Sequence, residues 1–370
     1  MIPVSEPRIT EREREYVLDC LQTGWISSAG RYIEAFETQW AAYCGMKHGV
    51  AVCNGTVALS AAVVCLGLEP GDEVIMPTFT IISCALAVVE NGGIPVLVDS
   101  DPETWTMDVN QVEAKITPRT RAIMPVHIYG HPVDMQPIWE IARAHNLVII
   151  EDAAEAHGAE YKGQRCGSLG DVSCFSFYAN KIISTGEGGM VLTQEEDMAE
   201  RLRSERNLAF QRDRRFYHTA LGHNYRMTNI QAAIGLAQFE RIEEHIEHKR
   251  WMAEAYNERL REFPQLQLPI EKEWAKNVYW MYGVVLADDV PFNAAEFARR
   301  LYQKGVETRP FFLGMHEQPV FRERELFIGE CYPVSENLSR MGLYLPSGLT
   351  LTESQLGKVC QQVHSIFKTI

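Results

Sequence analysis

No stretch of the 370-residue chain reaches the roughly 18 continuous apolar residues that a membrane-spanning helix requires. The N-terminal MIPVSEPRITERERE is charged before any apolar run develops, so no secretory leader is expected there. Positive charge is scarce. Lys and Arg number 35 against 49 Asp and Glu, a net charge of −14 that is ill suited to nucleic-acid phosphates or anionic lipid. The nine cysteines are scattered singly from Cys20 to Cys360 without a C-x-x-C pair, which excludes a disulfide framework and a zinc ribbon. A cytoplasmic protein with neither a membrane nor a nucleic-acid partner is expected. Also missing are G-x-G-x-x-G after the first apolar run, G-x-x-x-x-G-K-[ST] and H-E-x-x-H, so dinucleotide, P-loop and zincin chemistry drop out. His127 with His131, and His245 with His248, have ligand-like spacing but no third ligand, and no metal is expected.

What is present is a hydrophobic content of 46%, too high for disorder, in a chain long enough for two linked domains. Between residues 50 and 193 short apolar runs alternate with helical patterns: HGVAVCN, TVALSAAVVCLGL, EVIMP, SCALAVVENG, PVLVDSD, AIMPVH, LVIIEDA, VSCFSF and GMVLT. Continuous apolar strands of this kind belong to a mostly parallel sheet covered on both faces. Residues 228–262 read as one or two amphipathic helices, and beyond about 270 the pattern changes to a few strands and helices. The expected organisation is a large α/β domain over 1–240, then a connector helix and a smaller α+β domain over 241–370.

The chemistry concentrates between 147 and 190. Asp152 ends an apolar strand, and Lys181 follows another strand closely, so both can reach the crevice at the carboxyl ends of an α/β sheet. A carboxylate able to face a pyridinium nitrogen and a lysine able to form a Schiff base are the two groups that pyridoxal 5′-phosphate requires of a protein. Asn54-Gly55-Thr56 sits between a strand and a helix, where backbone N–H groups and the helix dipole favour a phosphate. Ser176 can add a hydroxyl, and Gly186-Glu187-Gly188-Gly189 lets the chain turn tightly beyond the lysine. Taken singly, Asp152 reads as a cap or ion-pair partner, Lys181 as a surface lysine and Gly55-Thr56 as a turn. Their combination favours the cofactor.

At these residues the sequence resembles the sugar-nucleotide aminotransferases of the DegT/DnrJ/EryC1/StrS family. The resemblance runs from TGWISSAGRYIEAFE through PGDEVIMPTFT, IIEDAAEAHGA, GSLGDVSCFSFYANKIISTGEGGM and NYRMTNIQAAIGLAQFERI to RPFFLGMH and LPSGLTLT. It implies an aspartate-aminotransferase-like fold (fold type I) and a homodimer with shared active sites. It also implies amino transfer from L-glutamate to a nucleotide-linked 4-keto-6-deoxy sugar, with GDP favoured over dTDP or UDP. Lys181 would be the Schiff-base lysine and proton shuttle, and pyridoxamine 5′-phosphate the form left after glutamate has reacted. By motif position Asp152 would pair with the ring nitrogen and Glu155 with the phenolic oxygen. Gly55, Thr56 and Ser176 would hold the phosphate, joined by Asn229 from the neighbouring subunit; by its residue type alone Asn229 reads as a helix N-cap. Trp25, Tyr225, Arg226, Arg309 and His316 are candidates for sugar and diphosphate contacts.

Two positions depart from the family. Relatives often carry an aromatic residue stacked on the ring where this chain has Ile81, so either aliphatic packing replaces the stack or Phe79 serves. Many have Gln in place of Glu155. The family branch that removes the C3 hydroxyl carries histidine in place of the lysine, so Lys181 favours transamination over dehydration. A non-catalytic binding module on the same scaffold is the third reading, disfavoured by Asp152, Ser176 and Lys181 together.

Overall fold

The computed structural model describes residues 1–211, 213–214 and 216–368. Seven strands form the main sheet: β1 (His48–Val52), β2 (Glu73–Pro77), β3 (Ile94–Val98), β4 (Thr120–Ile123), β5 (Val148–Asp152), β6 (Val172–Ser176) and β7 (Gly189–Thr193). Their order is β1-β7-β6-β5-β4-β2-β3. β3, β2, β4, β5 and β6 run parallel, while β7 is antiparallel to both β6 and β1. All five residues of β2, of β6 and of β7 are buried, as the continuous apolar runs require of a sheet covered on both faces.

Parallel strands need crossovers, and the helices Gly55–Leu66, Ser83–Glu90 and Met135–His145 supply them. The carboxyl ends of β1, β2, β5 and β6 therefore open toward one edge, where Asn54, Thr80, Asp152 and Ser176 lie. The helix Gly55–Leu66 starts there too. Its N-cap is Asn54, whose side chain accepts the Val57 N–H at 2.9 Å, leaving the Gly55 and Thr56 end of the helix pointing into the crevice.

The helices Glu11–Thr23 and Arg31–Cys44 pack on the helix Asn229–Phe239. The stretch read from the sequence as one or two helices is two, Asn229–Phe239 and Ile242–Leu260. A second, antiparallel sheet orders the strands Leu266–Gln267, Tyr282–Leu286, Gly342–Leu345 and Arg309–Pro310. With the helices Ala294–Gln303 and Glu353–Phe367 it encloses a hydrophobic cluster that includes Tyr256, Phe297 and Val363. The same stretch of chain also feeds the main core, because Val278, Trp280, Met281 and Phe311 turn toward the first sheet. Of these, Trp280 closes one side of the crevice. Among the described residues no helix is long and apolar enough to cross a membrane.

Candidate active site

A cavity of about 410 Å³ lies at the carboxyl ends of the main strands. Seven of the residues singled out in the sequence line it together: Gly55, Thr56, Ile81, Asp152, Glu155, Ser176 and Lys181. They come from four separate strand ends, so the sheet brings together what the sequence spreads over some 126 positions (181 − 55).

Asp152 is the last residue of β5 and is 2% exposed. Its Oδ1 accepts the Ala154 N–H at 3.0 Å and its Oδ2 accepts the Cys84 thiol at 3.1 Å, which fixes the plane of the carboxylate. Burial holds its carboxyl above the usual range, against the pull of these donors and of Lys181. Glu155 follows on the next turn. Its Oε2 accepts the Tyr129 N–H at 2.7 Å, and Oε1 lies 3.7 Å from the Lys181 ammonium. Burial raises Glu155 to about 7, with Lys181 opposing.

Lys181 sits on the loop between β6 and β7, where its own N–H bonds the Tyr178 carbonyl at 2.9 Å. Burial lowers its ammonium, with Glu155 and Asp152 opposing. A buried lysine displaced toward the free amine, beside a carboxyl displaced toward the acid, forms a pair poised to exchange protons.

The opposite end of the cavity is built for an anion. A Cβ on Gly55 would meet the Ser176 Cβ at 2.6 Å, so only glycine lets the helix start this close to the end of β6. The Ser176 hydroxyl then lies next to the helix N-terminus, and the Thr56 hydroxyl beside it bonds that of Ser83 at 2.8 Å. Backbone N–H groups, two hydroxyls and the positive end of a helix are the donors a phosphate takes. Carboxylate, lysine and anion cradle in one enclosed space fit pyridoxal phosphate.

The other expected residues lie elsewhere. Phe79 is 1% exposed and one layer behind the wall, packed on Phe311 (ring centroids 5.7 Å apart), Tyr129 and Phe312, whereas Ile81 faces the cavity. Of the two alternatives for the stacking position, this arrangement favours aliphatic packing. Asn229 is not the N-cap read from its residue type: Thr228 caps that helix, in a capping box with Gln231. The Asn229 amide instead holds the 25–32 loop, donating to the Trp25 carbonyl at 2.8 Å and accepting the Tyr32 N–H at 3.1 Å. Trp25 and Asn229 share a separate cavity of about 490 Å³ with Asp19 and Arg31. Tyr225 stacks on His223, and Arg226 donates to the Asn207 side chain at 2.6 Å. Arg309 pairs with Glu307 at 2.7 Å, and buried His316 bonds the Thr78 hydroxyl at 2.8 Å. None of these lines the Lys181 cavity.

Several lining residues carried no signal in the sequence. Trp280 lays its indole face 3.7 Å from the Lys181 Nζ, and Tyr344 and Phe312 extend the same wall. Each comes from the C-terminal third of the chain, more than 90 positions from the lysine. The only local hint is that Trp280 and Tyr344 flank or occupy short apolar strands. Below the cavity His127, Glu151 and Cys166 come together, fully buried. Glu151 is already filled by His127, the Ser173 hydroxyl and the N–H groups of Gly167, Leu169 and Gly170, so it serves to pin the 166–170 loop under β5.

A sequence model of the DegT/DnrJ/EryC1/StrS aminotransferase family matches residues 7–364. The chain belongs to that family. GDP-perosamine synthase of Caulobacter vibrioides is 46% identical to it over 359 residues, covering 97% of this chain and 96% of its own. GDP-perosamine synthase of Escherichia coli O157:H7 is 41% identical, covering 99% and 98%. Among solved structures, the aminotransferase TlmJ of Streptoalloteichus hindustanus superposes with a TM-score of 0.93 at 31% identity, covering 100% of this chain and 99% of the other. As a member of this aminotransferase family the protein is an enzyme, and it shares its overall fold with the aminotransferase TlmJ.

Proposed function

We propose that this aminotransferase uses pyridoxal 5′-phosphate to move the amino group of L-glutamate to C4 of GDP-4-keto-6-deoxymannose, giving GDP-perosamine. The choice of GDP over dTDP or UDP rests on full-length similarity to two GDP-perosamine synthases. The observation that carries the reaction type is the buried Lys181 amine beside Glu155 and across from Asp152 in one cavity. When bound, the cofactor supplies an electron sink that stabilises negative charge at the carbon losing its proton.

The residues divide the remaining work. Asp152, its carboxylate plane fixed by Ala154 and Cys84, would keep a proton on the ring nitrogen. Glu155 would pair with the phenolic oxygen and, as the acid, donate to it. Gly55, Thr56 and Ser176 would hold the phosphate at the helix N-terminus. Lys181 would anchor the cofactor and, once released by substrate, its amine would move a proton between the nitrogen-bearing substrate carbon and the cofactor's C4′, outward from glutamate and in the reverse direction with the keto sugar. Burial shifts Lys181 toward the free amine, the form able to accept that proton. Lysine rather than histidine at position 181 favours transfer over dehydration.

We assign Asn229 and Trp25 to the site of a second copy of the chain, in a homodimer with shared sites. Arg309 lies opposite the cavity residue Tyr344 in strand register and is assigned, with Tyr225, Arg226 and His316, to the sugar nucleotide. The enzyme would act in the cytoplasm. The test is mass analysis of the nucleotide sugar after incubation with pyridoxal phosphate, glutamate and GDP-4-keto-6-deoxymannose. A glutamate-dependent GDP-4-amino sugar supports the reading; no amine from the GDP sugar, with amine formed from a dTDP or UDP keto sugar, transfers the activity to that nucleotide.

A further inference from the structure

Behind the cavity wall a second lysine is buried. Lys249, on the helix Ile242–Leu260, is 1% exposed, and burial alone pushes its ammonium down to about 7. Among the described residues no carboxylate pairs with it. Its Nζ donates to the carbonyl of Trp280 at 2.9 Å and to the carbonyl of Ser347. A buried charge can often be exchanged for an apolar side chain of similar volume without loss of stability, so stability alone does not call for a lysine here. The two acceptors point to another role. They lie in the segments that carry Trp280 and Tyr344, which together form one side of the Lys181 cavity.

Trp280 is gripped from three directions. Lys249 holds its carbonyl, its indole N–H donates to the Asn180 carbonyl at 2.8 Å, and its backbone packs against Gly130, where a Cβ would come within 2.9 Å of the Trp280 nitrogen. The ring so fixed lies face-on to the Lys181 Nζ at 3.7 Å, the geometry in which an aromatic face attracts a cation. We propose that Trp280, clamped through its carbonyl by Lys249, is a positioning residue that holds the Lys181 amine in the cavity and favours its cationic form. The inference rests on Lys181 being the amine that works in the transfer reaction.

Other groups also face Lys181. Asp152 at the end of β5, with Glu155 and the buried His157 just beyond it, interacts with Lys181, and Tyr178, Glu187 and Tyr344 line the same cavity. Variants that keep all of these isolate the share of the indole. Two pH midpoints would be read. One is the midpoint of the visible absorption change of the holoenzyme. The other is the midpoint for labelling of Lys181 by an amine-reactive reagent in the full chain stripped of cofactor, followed by peptide mass analysis. Trp280→Leu is expected to lower both by about one pH unit, tenfold in proton affinity. Trp280→Phe should recover part of the shift, and Lys249→Met should move both midpoints in the same direction as Trp280→Leu.

Wild-type midpoints in Trp280→Leu would overturn the proposal. A Lys249→Met protein with a changed melting temperature but unchanged midpoints would overturn the clamp. If Lys249→Met does not fold, Trp280→Leu decides, since it leaves both carbonyl contacts of Lys249 in place. A chain that binds no pyridoxal phosphate shows no visible band, which sinks the aminotransferase reading, while the labelling midpoint still decides on Trp280.

Discussion

Gly55→Ala is the sharpest perturbation of the anion cradle because it adds one methyl group and removes nothing. The new Cβ would lie 2.6 Å from the Ser176 Cβ, 3.0 Å from its Oγ and 3.2 Å from its Cα. Ordinary contacts between such atoms fall at about 3.5–4.0 Å, so the helix start and the end of β6 must part by roughly 1 Å. Both partners are backbone-anchored, and neither can swing aside like a flexible side chain. A separation of that size takes one phosphate donor out of hydrogen-bond range. Losing a bond to a charged group is worth about 1.5–3 kcal/mol, hence about 10- to 100-fold weaker cofactor binding. The change in stability should be smaller, since overpacking of about 1–3 kcal/mol is partly offset by the reduced entropy of the unfolded chain. Cofactor titration by quenching of tryptophan fluorescence, with a thermal melt alongside, separates the two effects. The double variant Gly55→Ala/Ser176→Gly removes the two nearest clashing atoms, leaving only the 3.2 Å approach to the Cα, and should bind the cofactor nearly as well as Ser176→Gly alone, a clear departure from additivity. Wild-type affinity in Gly55→Ala, or strict additivity in the double variant, would refute the cradle.

Lys181→Ala should abolish turnover and the visible band of the lysine-bound cofactor while the fold persists by circular dichroism. Asp152→Asn should bind cofactor more weakly and slow proton removal from glutamate, and native rates in that variant would sink its assignment to the ring nitrogen. Glu155, raised to about 7, is largely the acid at pH 6 and the carboxylate at pH 8. Glu155→Gln should therefore match wild type in cofactor affinity at pH 6 and depart from it at pH 8, and equal affinities at both pH values would count against the raised carboxyl. His157 is buried and lowered from 6.5 to about 3. Its folded-state value lies below its unfolded one, so its contribution is present above about 6.5 and is lost as pH falls. Between pH 8 and pH 5 that loss is about 2 kcal/mol. His157→Asn, which keeps an acceptor for the Ile183 N–H, should lose correspondingly less stability in denaturant titrations at the two pH values.

Much of the fold was legible because its strands are buried on both faces and so appear as unbroken apolar runs, from EVIMP at β2 to GMVLT at β7. The direction of β7 was not. An antiparallel strand within a parallel sheet carries the same apolar pattern, and only the lack of a helix in its connection from β6 hints at the reversal. At the site, Asp152, Ser176 and Lys181 could be read because each lies at or just past a strand end, where side chains must emerge into the crevice. Phe79 and Ile81 are two apart and thus on the same side of an extended chain, so the sequence left open which one meets the ligand. Packing decided it, because Phe79 is drawn into the cluster of Tyr129, Phe311 and Phe312. Trp280 and Lys249 were illegible for a different reason. An aromatic residue before a strand and a lysine on an amphipathic helix read as core and surface, and only the fold of the C-terminal third over the sheet joins them to Lys181.

The most direct test of the central claim follows the nitrogen. With ¹⁵N-labelled glutamate, GDP-4-keto-6-deoxymannose and pyridoxal phosphate, the wild-type enzyme should place the label on the sugar's C4 amine, and Lys181→Ala should place none. An unlabelled amine from the wild type, or label transferred equally well without Lys181, would contradict the account.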